Sequence, residues 1–529
     1  MRRFHSYGPV DSRYHFCVER RELIENCTRQ LVGIPEEGGH YFTVWASRQA
    51  GKTWMMRQVI RQITSEYGDK FRIGTMSMQG IIMKNDEPDD NFLSKVPFIL
   101  RDGFCISKQK PPENWESFST LFSLEEGLFD RPVILFIDEF DSLPLHVIDR
   151  LVTLFRDMYL NRDHYVLHGL ALIGVRAVLG VGSRRGSPFN IQRALNVPNL
   201  TYKETEELFF CYQEESGQEI DPRVVENVFE KTDGQPGLVS WFGELLTEKY
   251  NPGKGRTIDA RTWKLAWHKA RFTEPNNTVL NLIAKAREPE YREVLMAVFS
   301  HTDIPFAFHD PVCNYLYLNG IITSCTVEDD KGGLNDFCRF SSPFVQGCIY
   351  TSLGMEMMRS VPVRPLDPLD DLSEVLDDGP ELNLPALLDR YQDYLGRLKA
   401  AGHEMWKDQP LRTDLRIREA SGHFHLYAWL YNAVGRHCSV SPEFPAGNGR
   451  VDIHIRCDDK HGIIEVKSFS DLRQIRKAKK RSAEYAAGLG LKTVTVAVFI
   501  SDAGEDVLSR ISSEDMTDGV KVTVRAIGI

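Results

Sequence analysis

Residues 42–53 read FTVWASRQAGKT and join a short apolar run to a glycine-containing turn and the start of a helical segment at 54–67. The second half has the spacing of a phosphate-binding loop, with alanine in place of the first glycine. In such a loop, backbone N–H groups and a helix N-terminus surround the phosphates, a lysine meets the β- and γ-phosphate charge, and a hydroxyl binds Mg²⁺. We therefore expect ATP with Mg²⁺ to bind Ala46, Ser47, Arg48, Gln49, Ala50, Gly51, Lys52 and Thr53.

A second motif, VILFIDE at residues 133–139, is an apolar run that ends in two acids. The run predicts a buried strand, from whose end Asp138 would hold Mg²⁺ and Glu139 would polarise the attacking water. The competing interpretation is a buried strand with two solvated acids. Because both motifs occur in the expected order, we favour a nucleotide site.

The surrounding pattern indicates the fold of this first region. Strand-like runs at 71–78, 133–138 and 166–175 alternate with longer helical stretches, which predicts a parallel sheet with helices on both faces. Segment 78–131 lacks clear periodicity, and we expect a helical insertion over the nucleotide site. Arg176 follows the 166–175 run, and Arg184 and Arg185 lie in a glycine-rich loop. They are candidates for a γ-phosphate sensor and arginine fingers, although surface arginines near turns are the more common case.

Further along, the pattern predicts additional domains. Segments 204–215, 222–232 and 236–250 have helical spacing, whereas 289–353 predicts helices followed by strands at 315–322 and 337–344, the order of a winged helix. An acidic stretch punctuated by Pro and Gly at 361–384 predicts a linker. The expected domains are an ATPase core at 1–200, a helical lid at 201–288, a winged helix at 289–360, the linker at 361–384 and a last α/β domain at 385–529.

Composition limits the class of protein. The net charge of −10 argues against a protein that coats nucleic acid over its whole surface, but it allows a local basic patch. Ten scattered cysteines without a C-x-x-C pair predict reduced thiols and no zinc site. Neither a signal-peptide pattern nor an 18-residue apolar stretch is present. We expect a cytoplasmic protein without a membrane span.

Several of these motifs together resemble the AAA-like ATPases of the STAND type. The resemblance rests on GPVDSRYHFCVERRELI before the loop, RQAGKT, the strand ending in DEF, SPFNI at 187–191 and GQPGL at 234–238, and it covers roughly the first two-thirds of the chain. It implies a helical lid and a winged helix after the ATPase core, with the GxP motif in the lid. It also implies a nucleotide-dependent switch or motor that carries an effector domain.

A third constellation lies near the C-terminus, where GRVDIHI at 449–455 is followed by GIIEVK at 462–467. If Cys457 pairs with Gly462 across a loop at 458–461, an antiparallel register sets Asp452 opposite Lys467 and His454 opposite Glu465. Asp452, Glu465 and Lys467 then project from one face. Two carboxylates, with the Val466 carbonyl, suit Mg²⁺ or Mn²⁺, and the lysine suits the charge that develops in phosphodiester hydrolysis. The alternative is a surface salt-bridge cluster.

This D-x₁₂-E-x-K pattern resembles the PD-(D/E)XK nucleases over about residues 411–500. The resemblance implies an α/β/α restriction-endonuclease-like domain. Glu419, on a helix predicted at 413–436, and Glu443 are rival candidates for a further metal contact. The next helix carries a basic stripe that could follow a phosphate backbone or be a solvated face. That helix also has R-x-x-x-Y where many members have Q-x-x-x-Y, so its candidates are Arg473, Arg476, Lys477, Lys480, Arg481 and Tyr485.

The fold expected from the whole chain is α/β: a P-loop NTPase parallel sheet with a lid and a winged helix, followed by the restriction-endonuclease-like domain. The function expected is an ATP-dependent switch or motor coupled to metal-dependent cleavage of nucleic acid, with DNA favoured and a role in defence against foreign nucleic acid implied by analogy. A signalling switch whose last domain only binds nucleic acid or a partner is the main alternative, and a translocase is another. A second copy of the chain and a protein trigger remain open as partners.

Overall fold

The computed structural model describes the chain except at residues 9, 85, 107–108, 175–192, 252, 254, 301–303, 329–331, 361–368, 370, 378, 403–405, 407–418, 436, 447–448, 470 and 502–503. The chain forms two compact units. Unit 1 comprises Met1–Leu280, Ala307–Thr323 and Ser341–Phe344. Unit 2 comprises Asn281–Phe306, Ser324–Phe340 and Val345–Ile529.

Unit 1 contains a five-stranded parallel sheet in the order β2-β3-β4-β1-β5. The strands are β1 (Tyr41–Trp45), β2 (Arg72–Ser77), β3 (Val133–Asp138), β4 (Leu167–Gly174) and β5 (Arg193–Asn196). The helices of this region are α1 (Arg21–Val32), α2 (Lys52–Tyr67), α3 (Asp90–Leu93), α4 (Val96–Phe104), α5 (Trp115–Thr120) and α6 (Leu145–Leu160). The predicted parallel sheet is therefore present.

Both faces of this sheet are covered, as β3 demonstrates. Ile134 and Phe136 lie in a core with α1 and α2, whereas Leu135 and Ile137 lie in a second core with α3, α4 and α6. Successive residues of a strand point to opposite faces, so an uninterrupted apolar strand has to be buried from both sides. The prediction of helices on both faces is confirmed.

Segment 78–131 differs from the prediction of an insertion over the nucleotide site. Its helix α4 packs against β2, where Phe104 contacts Gly74 so closely that a side chain there would overlap the ring. Phe92, Val96 and Leu100 fill the core on the same face of the sheet. The segment thus covers the β2 edge, with β3 and β4 between it and β1. Its apolar residues are spread over three short helices, which is why no single period was visible.

Helices follow the sheet in unit 1, where helical periodicity predicted them. They are α7 (Tyr202–Ser216), α8 (Pro222–Thr232), α9 (Pro236–Glu244), which continues as a π-helical turn at Leu245–Lys249, and α10 (Ala260–Phe272). A capping box between Thr201 and Glu204 starts α7, and Asp221 caps α8 ahead of its first-turn proline. These local signals satisfy the first N–H groups of each helix, so the helix starts agree closely with the sequence pattern.

The predicted strands at 315–322 and 337–344 are wrong in their bounds. The chain forms α11 (Asn277–Ala286), α12 (Pro289–Ser300), α13 (Pro311–Leu318), β6 (Ile322–Glu328), β7 (Leu334–Phe340) and α14 (Pro343–Ser360). Asp310 accepts a hydrogen bond from the Cys313 N–H (2.8 Å) and Pro311 takes the first helical position, so this apolar run begins as a helix. Gly320, at a φ of +76°, separates that helix from β6.

Unit 2 contains a six-stranded mixed sheet in the order β12-β13-β11-β10-β9-β8. The strands are β8 (Ser439–Ala446), β9 (Gly449–Cys457), β10 (Lys460–Ser468), β11 (Thr493–Ile500), β12 (Ser513–Thr517) and β13 (Val520–Gly528). The helices are α15 (Leu384–Ala400), α16 (Glu419–Val434), α17 (Leu472–Gly488) and α18 (Glu505–Ile511). The described part of the helix predicted at 413–436 is α16.

The sheet of unit 2 lies between helices. Val496 and Val498 of β11 face α17, whose Ile475 and Ala483 belong to the same core. Phe499 points the other way, towards Tyr391 of α15 and the backbone of α16 at Gly422. The layers are therefore helix, sheet and helix, and the assignment of this domain to a nuclease superfamily stays a prediction.

The acidic stretch predicted as a linker at 361–384 is packed in its described later part. Val375 and Leu382 are buried, and the Glu381 carboxylate accepts hydrogen bonds from the backbone N–H groups of Lys492 (2.6 Å) and Thr493 (2.9 Å) at the start of β11. A Cβ atom at Gly462 of β10 would meet Leu382 and Leu384, so the described later part of this stretch packs against the sheet of unit 2 and is not a free linker. The linker prediction for residues 361–368, 370 and 378 lies outside the described residues.

Two further findings concern predictions made from composition. Cys438 and Cys457 form a disulfide between the start of β8 and the end of β9, so the prediction of reduced thiols is wrong for this pair. The two residues are 19 positions apart and no C-x-x-C spacing announces them. No helix in the described ranges is long and apolar enough to cross a membrane.

Candidate functional sites

The phosphate-binding loop lies between strand β1, which pairs with β4 and β5, and helix α2, the position that the sequence predicted. Gln49 and Gly51 have positive φ angles of 58° and 88°, and α2 begins directly afterwards at Lys52. Left-handed residues turn successive N–H groups towards one concavity, which suits an anion. Ala46, in place of the usual first glycine, is buried, and its methyl group belongs to the core beside α2.

Lys52 is held inside this loop. Its Nζ donates hydrogen bonds to the carbonyl oxygens of Ala46 (2.9 Å) and Ser47 (2.8 Å). Burial lowers the pKa of Lys52 to about 8, and the nearby carboxylates of Asp141 and Asp138 oppose that shift. A phosphate in the loop would replace the carbonyl partners with a full negative charge and favour the charged lysine.

The two nucleotide motifs meet at their predicted magnesium-binding residues. The Thr53 hydroxyl donates to Oδ2 of Asp138 (3.1 Å), and Oδ1 of Asp138 accepts from the N–H of Glu139 (3.0 Å). Glu139 adopts a left-handed conformation with a φ of 54°. Burial, followed by Asp138 and Asp141, raises the pKa of the Glu139 carboxyl. Hydroxyl and carboxylate oxygens are hard ligands, so this pair fits an Mg²⁺ ion.

The GQPG segment at the start of α9 contacts the phosphate loop directly. The Gly237 N–H donates to the carbonyl oxygen of Gln49 (3.1 Å), and Nε2 of Gln235 donates to that of Arg48 (3.0 Å). A Cβ atom at Gly237 would lie 2.5 Å from Oε1 and 2.7 Å from Cβ of Gln49. Gly237 is therefore required by close approach, a reason that spacing alone did not reveal.

The N-terminal segment also reaches the nucleotide region, which sequence reasoning had recognised only through resemblance. Nε2 of Gln49 donates to the Ser6 carbonyl (3.3 Å), and Arg57 of α2 donates to the Val10 carbonyl (3.0 Å). The other ATPase candidates, Arg176, Arg184 and Arg185, and the 187–191 motif lie outside the described residues.

The register of the β9–β10 hairpin differs from the prediction. Cys457 pairs with Lys460, and Ile453 pairs with Ile464, so the turn has two residues where a loop at 458–461 was expected. Asp458 takes a φ of +51°, which Asp tolerates better than most residues. Continued by one residue, this register sets Asp452 opposite Glu465, in place of the predicted pair with Lys467. Because the shift is two residues, every side chain stays on its predicted face.

The charged side chains of the β9–β10 hairpin lie close to one another. Nζ of Lys467 lies 3.2 Å from Glu465, 3.6 Å from Asp452 and 3.0 Å from Glu419 of α16. We call Glu419, Asp452 and Glu465 the carboxylate cluster. Burial alone would lower the pKa of Lys467, but the three carboxylates together raise it well above its usual value. Burial, then Asp452, raises the pKa of the Glu465 carboxyl.

Further contacts position these groups. Oδ2 of Asp452 accepts from the Val466 N–H (2.6 Å), and the Val466 carbonyl, predicted as a metal ligand, accepts from Lys467 Nζ (2.7 Å). His423 of α16 contacts the Asp452 carbonyl oxygen through Nε2 (2.9 Å), a residue that sequence reasoning missed. His454, predicted opposite Glu465, pairs with Ile463 instead, and its Nε2 contacts Nδ1 of His461 (3.3 Å). The other acidic candidate, Glu443, lies in β8, and its side chain is outside the described set.

The oxygen atoms of the carboxylate cluster are possible ligands for a divalent cation. Oε2 of Glu465 is buried and has no hydrogen-bond partner among the described atoms, as expected of an oxygen that awaits a cation. No group of three or more His, Cys, Asp or Glu side chains within the described ranges is arranged as a metal cage. The Lys467 ammonium lies within 3.6 Å of all three carboxylates, so it occupies the position that a cation between them would take. The donor set fits a hard cation that takes over part of the Lys467 contacts.

The basic stripe of α17 is on the surface. Arg473, Arg476, Lys477, Lys480 and Arg481 are all exposed. Within the described part of the chain, the first four form no ion pair with a carboxylate, whereas Arg481 donates from Nε to the Tyr485 hydroxyl. Exposed cations that are not neutralised attract a polyanion.

Several solved structures are similar to part of this chain. A Walker-type ATPase of Pyrococcus abyssi is 16% identical and aligns over 65% of this chain and 99% of its own, with a TM-score of 0.45. The ORC1 protein of Aeropyrum pernix, solved in complex with DNA, is 14% identical over 65% of this chain and 94% of its own, with a TM-score of 0.33. The RuvB Holliday junction branch migration motor of Thermotoga maritima is 14% identical over 58% and 90%, with a TM-score of 0.34.

No protein-family model matches the chain, and no curated protein matches it. Since the TM-scores of these three structures lie below 0.5, the functional assignment depends on the side chains of this chain.

Proposed function

We propose that this chain is an ATPase that is coupled to a metal-dependent nuclease acting on DNA. The ATPase part rests on the hydrogen bond from Thr53 to Asp138, which joins the ends of two motifs 85 residues apart. Two oxygen donors of this kind, beside a loop of left-handed residues and a lysine, suit a nucleoside triphosphate with Mg²⁺.

Each residue of the nucleotide site has a distinct role. Lys52 leaves the loop carbonyls to contact the β- and γ-phosphates, and Thr53 with Asp138 holds the cation. Glu139 orients the attacking water and accepts its proton, a task for which a raised carboxyl pKa is suited. Mg²⁺, when bound, neutralises charge between the phosphates.

Two variants test the ATPase proposal. Lys52→Ala removes the phosphate contact, so ATP affinity is expected to fall by roughly 10²-fold or more. Glu139→Gln keeps the shape but removes the base, so ATP should still bind while hydrolysis falls by about 10²- to 10⁴-fold. Fluorescent-nucleotide binding and phosphate release measure the two effects. Unchanged turnover in both variants would refute the assignment.

The nuclease part rests on one observation, the convergence of three carboxylates on Lys467 beside Oε2 of Glu465, which has no hydrogen-bond partner among the described atoms. A surface salt-bridge cluster would pair exposed groups, whereas Glu465 is 5% exposed. Burial of an unsatisfied carboxylate oxygen costs stability and is typical of a functional site. The exposed cations of α17 in the same unit supply attraction for a polyanion.

In the proposed reaction, Asp452 and Glu465 would hold a Mg²⁺ or Mn²⁺ ion, and Glu419 would add a further oxygen. Such an ion would supply the Lewis acidity that phosphodiester hydrolysis needs. Lys467 moves from between the carboxylates to the phosphate side, where its ammonium stabilises the developing negative charge. His423 keeps the Asp452 backbone in place through the carbonyl oxygen.

The nuclease proposal is tested with plasmid DNA, Mg²⁺ or Mn²⁺, and ATP present or absent. The wild-type chain should cleave, and Asp452→Ala should lower the rate to background because it removes a cation ligand. Asp459→Ala is the matched control, since this exposed acid lies in the turn of the same hairpin. If Asp452→Ala and the wild type cleave at equal rates, or neither cleaves under any of these conditions, the nuclease assignment is wrong.

A further inference from the structure

Arg481 and Tyr485 form a pair on α17 that the roles above do not use. Nε of Arg481 donates to the Tyr485 hydroxyl, and the guanidinium carbon lies 5.3 Å from the centre of the Tyr485 ring. The ring and the hydroxyl thus restrain an otherwise flexible side chain on an exposed helix face. The resemblance to the PD-(D/E)XK nucleases implies a neutral glutamine at this position in many members, and this chain has a charged arginine instead.

The sheet face that packs against α17 carries Asp452 and Glu465 of the carboxylate cluster, together with Lys467. Ile463 of β10 lies in the core that α17 covers, and Glu465 and Lys467 follow it at two-residue spacing on that face. Asp452, opposite Glu465, shares this face. Helix α17 also packs against β9 and β10 directly. Arg481 therefore lies on the helix that borders the cluster.

Electrostatics agree with this placement. Burial alone would lower the pKa of the Arg481 guanidinium, but Tyr485, Glu465 and Asp452 together raise it. The negative charges of these two carboxylates favour the charged guanidinium. With three carboxylates and one ammonium, the cluster would repel a phosphodiester that approaches without help. A second fixed cation beside the cluster reduces that repulsion.

We propose that Arg481, held by Tyr485, contacts the phosphate of the nucleic acid that enters the carboxylate cluster and positions it for cleavage. The inference rests on the proposed nuclease function. Arginine suits this role because its planar guanidinium matches the geometry of a phosphate, and the bond from Nε to the Tyr485 hydroxyl fixes the plane of the guanidinium. The other cations of the basic stripe follow the neighbouring phosphates.

The test compares four proteins: wild type, Arg481→Lys, Arg481→Gln and Arg481→Ala. The first readout is the affinity for a fluorescent 20-base-pair DNA duplex in EDTA, measured at several salt concentrations. We expect Arg481→Ala and Arg481→Gln to bind about 10-fold more weakly, with the salt-dependence slope reduced by about 1, because one phosphate contact is lost. Arg481→Lys should keep the slope. Arg510→Ala, an exposed arginine of α18 in the same unit, is the control and should bind like the wild type.

The second readout is cleavage of the same duplex with Mg²⁺. Arg481→Ala should lower kcat/KM by about 10²- to 10³-fold, as the loss of one positioned donor does. Tyr485→Phe should lower kcat/KM by a smaller factor, with an unchanged salt slope, because the charge stays but its restraint is lost. Melting temperatures of all variants identify any loss of folding. If Arg481→Ala unfolds, Arg481→Lys and Arg481→Gln, which keep the length and polarity of the side chain, provide the comparison that tests the phosphate contact.

Unchanged affinity and slope in both Arg481→Ala and Arg481→Gln would overturn the proposal. So would equal losses in Arg481→Lys and Arg481→Gln, which would indicate a structural role for the side chain. If the wild type does not cleave DNA but Arg481→Gln still lowers the affinity and the slope, the nuclease function fails while the phosphate contact of Arg481 stands. The two failures are therefore distinguishable.

Discussion

Lys467→Met is the perturbation that separates a cation site from an ordinary salt-bridge cluster. The substitution keeps the length and the apolar stem of the side chain but removes the ammonium that lies within 3.0–3.6 Å of Glu419, Glu465 and Asp452. Three carboxylates then remain on one side of the sheet without their shared partner. Glu465 is the most affected, since only 6% of its side chain is exposed.

The magnitude follows from these distances. At an effective dielectric constant of about 20, a charge pair near 3.2 Å is worth roughly 5 kcal/mol before desolvation. Removal of one partner from a buried pair costs about 3–5 kcal/mol, because the other charge stays buried. We therefore expect the free energy of local opening of the β9–β10 hairpin to fall by about 3–5 kcal/mol in EDTA. A divalent cation should restore much of it, since saturation at 100 times Kd contributes about 2.7 kcal/mol.

Hydrogen exchange followed by mass spectrometry measures this effect for β9 and β10 peptides without requiring two-state unfolding of the whole chain. Lys480→Met is the stability control, because Lys480 is exposed and has no carboxylate partner in the described part of unit 2. It should change the opening free energy by less than about 0.5 kcal/mol. Mg²⁺ should slow exchange more in Lys467→Met than in the wild type. If Mg²⁺ leaves exchange of the β9 and β10 peptides unchanged in both proteins, the cation site at the carboxylate cluster is contradicted.

Three other predictions concern the fold and its coupling to chemistry. Gly237→Ala should weaken ATP binding about 10-fold or more in a fluorescent-nucleotide titration, because the new methyl group overlaps Gln49. Unchanged affinity would show that the phosphate-binding loop accommodates the methyl group without losing its binding conformation. Cys438→Ser should lower the unfolding free energy of unit 2 by about 3 kcal/mol in non-reducing buffer, because it removes the disulfide to Cys457. The wild type in reducing buffer should be as unstable as this variant. Equal stability of the wild type in reducing and non-reducing buffer would exclude a stabilising disulfide. Burial lowers the pKa of His425 to about 4, below its unfolded value near 6.5. The folded state therefore favours the neutral ring, and this contribution to the unfolding free energy of unit 2 is fully present above pH 6.5. Up to about 3 kcal/mol of unfolding free energy is lost as the pH falls towards 4. His425→Phe should flatten that pH dependence of thermal unfolding, and an unaltered profile would assign the acid lability to other groups.

Much of the nucleotide region could be predicted because its signals are local. An apolar strand, a Gly-Lys-Thr turn and a following helix are contiguous in the chain, and β3 was predicted with its observed bounds. The contact of Gly237 with Gln49 was not predictable from spacing, since it joins residues 188 positions apart through backbone approach. Long-range contacts of this kind leave no period in the sequence.

The hairpin shows what pattern alone can and cannot decide. The alternation of apolar and polar residues assigned Asp452 and Glu465 to one face of the sheet. This assignment is unaffected by the two-residue error in the predicted register, because a shift of two residues keeps each side chain on its face. The turn was misjudged because Asp458 can adopt a left-handed conformation without glycine. Glu419 was one of two acidic candidates, and only tertiary packing of α16 decides that it reaches Lys467. The role of Glu443 stays a prediction.

The central claim is that unit 2 holds a divalent cation between Asp452 and Glu465. Anomalous scattering from crystals soaked in Mn²⁺ tests this claim most directly. We predict a peak about 2.1 Å from Oε2 of Glu465 and from an Asp452 oxygen, with Lys467 displaced towards solvent. A map with manganese beside Thr53 and Asp138 but none between Asp452 and Glu465 would contradict the account.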